Sequence, residues 1–156
     1  MFFIVSGFVI YYSVHKTPEL KFKTYFWKRF KRIYFIFIIA LLISYLAACI
    51  REGTWLPPNL RQLAVNLANL QDLDRHPGFI DIPYFKNAPL WSLTYEWWFY
   101  MMFFPIFKFI KGPKQDNFVL ALSVFGVLSY RYWPNQFSII PWYFILRWWG
   151  VILGRP

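Results

Sequence analysis

Three groups of residues in this 156-residue chain carry side chains that could do chemistry in an apolar protein. The first lies in segment 91–100, WSLTYEWWFY, where Ser92, Glu96 and Tyr100 are spaced by four and share one stripe of a helix. A carboxylate within an apolar helix is costly and usually faces a polar cavity. Beside a hydroxyl it could orient a sugar or an alcohol, or assist proton transfer. The alternative is an ion pair with Arg147, a cation in another apolar segment, and the two roles are compatible.

The second group is the basic segment 28–34, KRFKRIY. Arg29 and Arg32 are three residues apart and share a helix face, where two guanidinium forks suit phosphates such as those of a nucleotide-like cofactor. The competing interpretation is a membrane anchor that binds anionic headgroups. The third group is Ser6 and Gly7 in segment 2–8, FFIVSGF. Small residues in a membrane helix favour close helix packing, or the close approach of a ligand.

Other candidates are weaker. His15 and His76 are lone histidines in basic or Pro/Gly-rich segments, and such residues are more often solvated than catalytic. The single cysteine, Cys49, lies in an apolar run and favours a packing role. The sequence has no Cys/His metal spacing and no glycine-rich phosphate loop, so we expect no metal site.

The composition predicts an all-α, polytopic transmembrane bundle. Hydrophobic residues make up 58% of the chain and charged residues 15%, against about 25% charged residues in soluble domains. Apolar runs at about 2–14, 33–50, 90–110, 118–133 and 139–153 predict five membrane segments. A short amphipathic or re-entrant helix is predicted at about 60–73.

The net charge of +10 is bunched rather than spread over a binding face. Segments 15–32 and 108–114 are basic, whereas the charges of segment 51–87 cancel. The positive-inside rule therefore predicts that the basic loops are cytoplasmic and that 51–87 lies outside. This distribution indicates membrane lipids as partners and gives no reason to expect nucleic acid.

At the three groups the sequence resembles acyltransferase family 3, integral membrane enzymes that acylate sugars of lipopolysaccharide, exopolysaccharide and related glycans. The family's Phe-Phe-x-x-Ser-Gly-Phe run is matched by residues 2–8. Its Arg-x-x-Arg stretch is matched from Arg29 to Tyr34, with Phe35 where proline is usual. Its Trp-Ser-Leu-x-x-Glu motif is matched from Trp91 to Glu96, with Tyr100 following.

The resemblance implies a bacterial inner-membrane enzyme that transfers an acyl group, expected to be acetyl, from acyl-CoA to a carbohydrate or glycolipid hydroxyl. No tightly bound cofactor is implied. Arg29 and Arg32 would bind the donor phosphates, while Glu96 and Tyr100 would line the acceptor path or support the site. Acceptor contacts or helix packing would fall to the remaining candidates, which are Ser6, Gly7, Trp91, Ser92 and Arg147.

The family's catalytic histidine lies in a membrane helix before the Ser-Gly-Phe helix, and His15 follows that motif, so it is not the matching position. We therefore expect residues 1–156 to be a partial domain without its first membrane helix, holding binding and supporting residues without the base. Two alternatives are a non-enzymatic membrane protein, such as a transporter or flippase component, and an inactive truncated remnant.

Overall fold

The computed structural model describes residues 2–17 and 19–155. Within these residues the chain forms no strand, and the all-α prediction is confirmed. Six α-helices follow one another along the chain: α1 Phe2–His15, α2 Phe22–Glu52, α3 Leu60–Leu67, α4 Trp91–Phe109, α5 Lys114–Tyr132 and α6 Gln136–Leu153. Two short 3-10 helices, Tyr84–Lys86 and Ala88–Leu90, lead into α4.

The helix α2 includes most of the segment that was predicted as a basic loop. Residues 22–32 are helical and continue into the apolar run, because Lys and Arg are good helix formers and nothing after residue 21 breaks the helix. With 31 residues, α2 is about 46 Å long, well beyond the thickness of a bilayer core. Its apolar part exposes large side chains such as Phe35 (70%) and Ile43 (60%), which suits contact with lipid.

Membrane-crossing length is established for α2 among the described residues. It is the one helix there that is both long and apolar enough to span, and α1 is a shorter apolar helix. Each of the five predicted apolar segments is helical, so the segment positions agree with the sequence pattern. Five membrane crossings stay a prediction.

The short helix α3 begins at Leu60, as predicted, but ends at Leu67 rather than at residue 73. It is capped by the Asn59 side chain, and it stops before Asn69, whose φ of 51° is left-handed. Its buried side chains are Gln62 and Asn66, whereas Leu60 and Leu67 are exposed. Gln62 and Asn66 thus face inward together with Leu63, which packs against the central core, while Leu60 and Leu67 face outward.

The chain forms two compact units, and their boundaries fall inside α2 and α4. The first, called here the terminal unit, comprises Met1–Trp27 and Trp98–Pro156. In it, α6 packs against both α1 and α5. The second, called the central unit, is Lys28–Trp97. Its buried core joins α2 to the segment before α4 through Phe37, Leu41, Tyr84 and Leu90.

Glycines allow α6 to approach its neighbours closely in the terminal unit. A Cβ on Gly7 would collide with the backbone carbonyl of Arg147, and one on Gly150 would collide with that of Ile4. On the other side of α6, a Cβ on Gly126 would lie 2.8 Å from the Ser138 oxygen. Contacts between small residues are a common basis of helix association in membranes.

We expect Gly150→Ala to destabilise the terminal unit by roughly 1–3 kcal/mol, because the methyl group meets backbone that has no rotamer to change. Thermal unfolding of the detergent-purified protein measures the effect. The matched control is Gly154→Ala, whose Cβ would meet the Phe8 and Tyr11 side chains at 3.1 and 3.2 Å. Equal melting temperatures for the two variants would contradict the close-packing interpretation.

Candidate functional site

The terminal unit buries a cation. Arg147 in α6 is 0% exposed, and its guanidinium carbon lies 4.2 Å from the centre of the Tyr100 ring and 5.9 Å from that of Phe99. A guanidinium over an aromatic face is attracted by the negative charge of the ring face, and the attraction grows when water is absent. The two rings therefore offset part of the cost of burying this charge.

The helix α1 contributes a hydroxyl near Tyr100 and a glycine against the Arg147 backbone. The Ser6 and Tyr100 hydroxyl oxygens are 3.5 Å apart, and Gly7 lets the α1 backbone reach that of Arg147. The Tyr25 hydroxyl donates a hydrogen bond of 2.9 Å to the Tyr100 carbonyl, which ties the beginning of α2 to α4. We call Ser6, Gly7, Phe99, Tyr100 and Arg147 the Arg147 cluster.

The Arg147 cluster brings together four residues that the sequence analysis singled out, and they come from three different helices. It combines a cation with two hydroxyls in apolar surroundings. Such a set can hold an oxygen-rich group or stabilise a developing negative charge, because electrostatic interactions are strong where water is excluded.

The other predicted site residues lie in the central unit. Glu96 and Arg29 are buried, each 8% exposed, whereas Arg32 is exposed although it follows on the same helix. Ser92 is half-buried, and its hydroxyl donates to the Pro89 carbonyl over 3.0 Å. Since Glu96 and Arg147 belong to different units, their predicted ion pair stays a prediction.

A polar cluster that the sequence did not reveal joins Asp72, His76 and Tyr95 in the central unit. Asp72 Oδ1 lies 2.9 Å from His76 Nδ1, and its Oδ2 accepts a 2.6 Å hydrogen bond from the Tyr95 hydroxyl. The His76 ring meets the half-buried Trp91 ring edge to face, with centroids 6.1 Å apart. Asp72 and His76 are four residues apart, which indicates contact only when the residues lie in a helix. This segment is a turn, so the spacing did not predict the pair.

A basic cavity of about 680 Å³ opens in the terminal unit where α1 ends and α4 meets α5. Three basic side chains line it, from His15, Lys108 and Lys111. Apolar lining comes from Phe104 and Phe107, among others. In the sequence the two lysines indicated only topology, and His15 looked solvated; only the fold brings the three to one cavity.

The carboxylate of Asp116 anchors the end of α6 beside this cavity's wall, just before the apolar part of α5. It accepts hydrogen bonds of 2.7 Å from Trp148 Nε1 and from the Arg155 guanidinium. Burial acts to raise the pKa of Asp116, but the hydrogen bonds from Arg155 and Trp148 outweigh it and hold the pKa below its usual value. The ionised carboxylate is thus the form that stabilises the fold.

The sign of the resulting pH dependence follows from the lowered pKa of Asp116. The contribution is fully present above the ordinary pKa of 3.8 and is lost as the pH falls through the lower native pKa. We expect Asp116→Asn to lower stability by roughly 0.5–1 kcal/mol near neutral pH, since the pair is partly exposed. Melting temperatures of the two proteins should converge as the pH falls from 3.8 through the lower native pKa. A constant difference over that range would contradict this.

Comparison with family models matches residues 1–154 to a model described as an acyltransferase domain, within acyltransferase family 3. The match extends over the Arg147 cluster, the basic cavity and the central unit. Comparisons with curated proteins and with solved structures found no significant match.

Proposed function

The chain belongs to acyltransferase family 3, a family of membrane acyltransferases, and we propose that it transfers an acetyl group from acetyl-CoA to a hydroxyl of a cell-surface or exported glycan. The observation that carries this proposal is the basic cavity lined by His15, Lys108 and Lys111. Its cations suit a phosphorylated donor, and its apolar wall suits the uncharged arm of such a donor. A transporter or flippase component, the sequence-based alternative, gains no support from the family match.

The proposed orientation follows the distribution of charge. We place the protein in the bacterial cytoplasmic membrane with five membrane segments, the basic segments 15–32 and 108–114 in the cytoplasm and segment 51–87 outside. Acyl-CoA is made and kept in the cytoplasm, so a donor would meet the basic cavity first. Arg29 and Arg32 belong to the basic segment 15–32, and to them we assign contacts with donor phosphates.

The Arg147 cluster supplies the electrostatics that an acyl transfer needs. As the acceptor hydroxyl oxygen bonds to the thioester carbonyl carbon, negative charge develops on the carbonyl oxygen. The Tyr100 hydroxyl lies near Ser6, and the Tyr100 ring lies under the Arg147 guanidinium, so this hydroxyl is suited to stabilise that oxygen. A base must accept the hydroxyl proton; the family resemblance assigns it to a histidine in a preceding helix, and Glu96 is proposed in a supporting role. When the carbonyl re-forms, the C–S bond breaks and the CoA thiolate leaves with the proton that the base had accepted.

Replacing both Arg29 and Arg32 with Ala should lower acetyl transfer strongly, by about 100-fold or more, because each charge-assisted hydrogen bond to a phosphate contributes roughly 1.5–3 kcal/mol. The measurement is transfer of labelled acetyl groups to endogenous glycan in membrane vesicles that contain the complete gene product. Lys23→Ala, another cation of α2, is the matched control. If a correctly inserted double variant transferred acetyl groups as well as the unaltered protein, the donor-site assignment would be wrong.

The cavity assignment has its own test. We expect Lys108→Gln with Lys111→Gln to raise the KM for acetyl-CoA about tenfold, equivalent to 1.4 kcal/mol, with little change in kcat. S-acetylpantetheine, which lacks the phosphates, should show no such change. The control is Lys114→Gln, an exposed lysine at the beginning of α5. Equal effects on both donors would show that these lysines do not bind phosphate.

A further inference from the structure

The segment 70–82 of the central unit is fixed to the beginning of α4 without help from His76. The Gln71 side chain donates to the Leu90 carbonyl over 3.0 Å, and the Thr94 hydroxyl donates to the Gln71 carbonyl over 2.8 Å. The Asp72 amide also donates to the Asp81 carbonyl over 2.9 Å. The segment is therefore a rigid support for whatever side chains it carries.

Asp72 holds the imidazole of His76 in one orientation. The carboxylate is 1% exposed and accepts hydrogen bonds from the Tyr95 hydroxyl, the Leu73 amide and His76 Nδ1. A carboxylate accepts hydrogen bonds, so in the tautomer that pairs with Asp72 the proton is on Nδ1, and Nε2 is the acceptor. The His76 side chain is 19% exposed, and within residues 2–17 and 19–155 no hydrogen bond to its Nε2 occurs.

The hydrogen bond between Asp72 and His76 is not needed to hold segment 70–82 in place. Three other hydrogen bonds already fix the segment, and the carboxylate is satisfied by Tyr95 and Leu73. What His76 adds is an oriented acceptor atom beside an aromatic wall. That wall is Trp91, whose ring stands at 81° to the imidazole and is itself held edge to face by Tyr95.

The surroundings favour an uncharged ligand with hydroxyl groups. Segment 51–87 has four acidic and four basic residues, so it offers no net charge to attract an anion. An aromatic ring next to a single directed acceptor matches a pyranose, whose C–H face packs on a ring while a hydroxyl donates a hydrogen bond. Binding sites generally combine such aromatic lining with a few placed polar groups.

We propose that His76 and Trp91 form a recognition site for the glycan acceptor, in which a sugar hydroxyl donates a hydrogen bond to His76 Nε2 and the sugar ring packs on Trp91. Asp72 is a positioning residue, because it acts through the imidazole. The inference rests on the proposed function for the identity of the ligand as an acceptor. It adds where in the chain the acceptor is recognised and by which atom.

The test is chemical protection of the imidazole in the purified complete gene product. Diethylpyrocarbonate acylates the unprotonated ring nitrogen of histidine, and mass spectrometry reports the extent at each residue. Methyl pyranosides of glucose, galactose, mannose and N-acetylglucosamine are added in turn. We expect at least one to slow labelling of His76 severalfold while labelling of His15 is unchanged. Glycerol, which has hydroxyls but no ring, should not protect.

Variants separate recognition from structure. Trp91→Phe should keep the protection, whereas Trp91→Ala should abolish it. His76→Gln should raise the KM for the glycan acceptor about tenfold, the loss expected for one hydrogen bond, while the KM for acetyl-CoA stays the same. Since protection is measured on the unaltered protein, misfolding of a variant does not remove the test.

The outcomes also separate this inference from the proposed function. Protection of His76 without any acetyl transfer would support the sugar site and contradict the enzymatic proposal. Acetyl transfer with no protection by any of the four pyranosides, and with an unchanged acceptor KM for His76→Gln, would overturn the sugar site alone.

Discussion

Arg147 carries a guanidinium into the interior of the terminal unit, and taking such an ion out of water costs several kcal/mol unless its surroundings compensate. The compensation includes the ring faces of Tyr100 and Phe99 on α4. Arg147 also constrains α1, because a side chain at position 7 would collide with the Arg147 backbone carbonyl. A bulkier residue there would push α1 away, and Ser6 would lose its contact with Tyr100. Close helix packing and the polar cluster thus meet at the same residue, Arg147, one through its backbone and the other through its side chain.

The helices were largely predictable because continuous apolar runs have few other ways to satisfy their backbone groups in a membrane. The basic segment before residue 33 was misjudged, since charge pattern reports which side of a membrane a segment occupies and not whether it is helical. The orientation of α3 was also beyond the sequence. Asn66 is buried because its side chain satisfies the Tyr84 amide and the Ile82 carbonyl of a neighbouring irregular segment, which leaves Leu60 facing outward. An apolar face turned outward suits the lipid interface of a membrane protein.

Residue types identified members of the candidate site, but not their grouping. Ser6, Tyr100 and Arg147 were each unusual in an apolar helix, yet their sequence separations give no information on which helices cross. The Asp72–His76 pair was missed for a different reason. Its geometry arises in a turn that Gln71 and Thr94 fasten to α4, and those hydrogen bonds involve backbone atoms that leave no mark on the sequence. The cavity at His15 likewise depends on where α1 ends relative to α4 and α5 within the terminal unit.

Charge distinguishes the two ends of α4. The helix begins at Trp91, next to an electrically neutral segment that holds a buried carboxylate and an oriented imidazole, and its last turn carries Lys108 at a basic cavity. A phosphorylated donor and an uncharged sugar differ in the same way, since one needs cations and the other needs directed hydrogen bonds and an aromatic face. If the two proposed recognition tasks rest on such separate chemistry, changes in segment 51–87 would alter acceptor preference while the lysines of the cavity continued to select the donor.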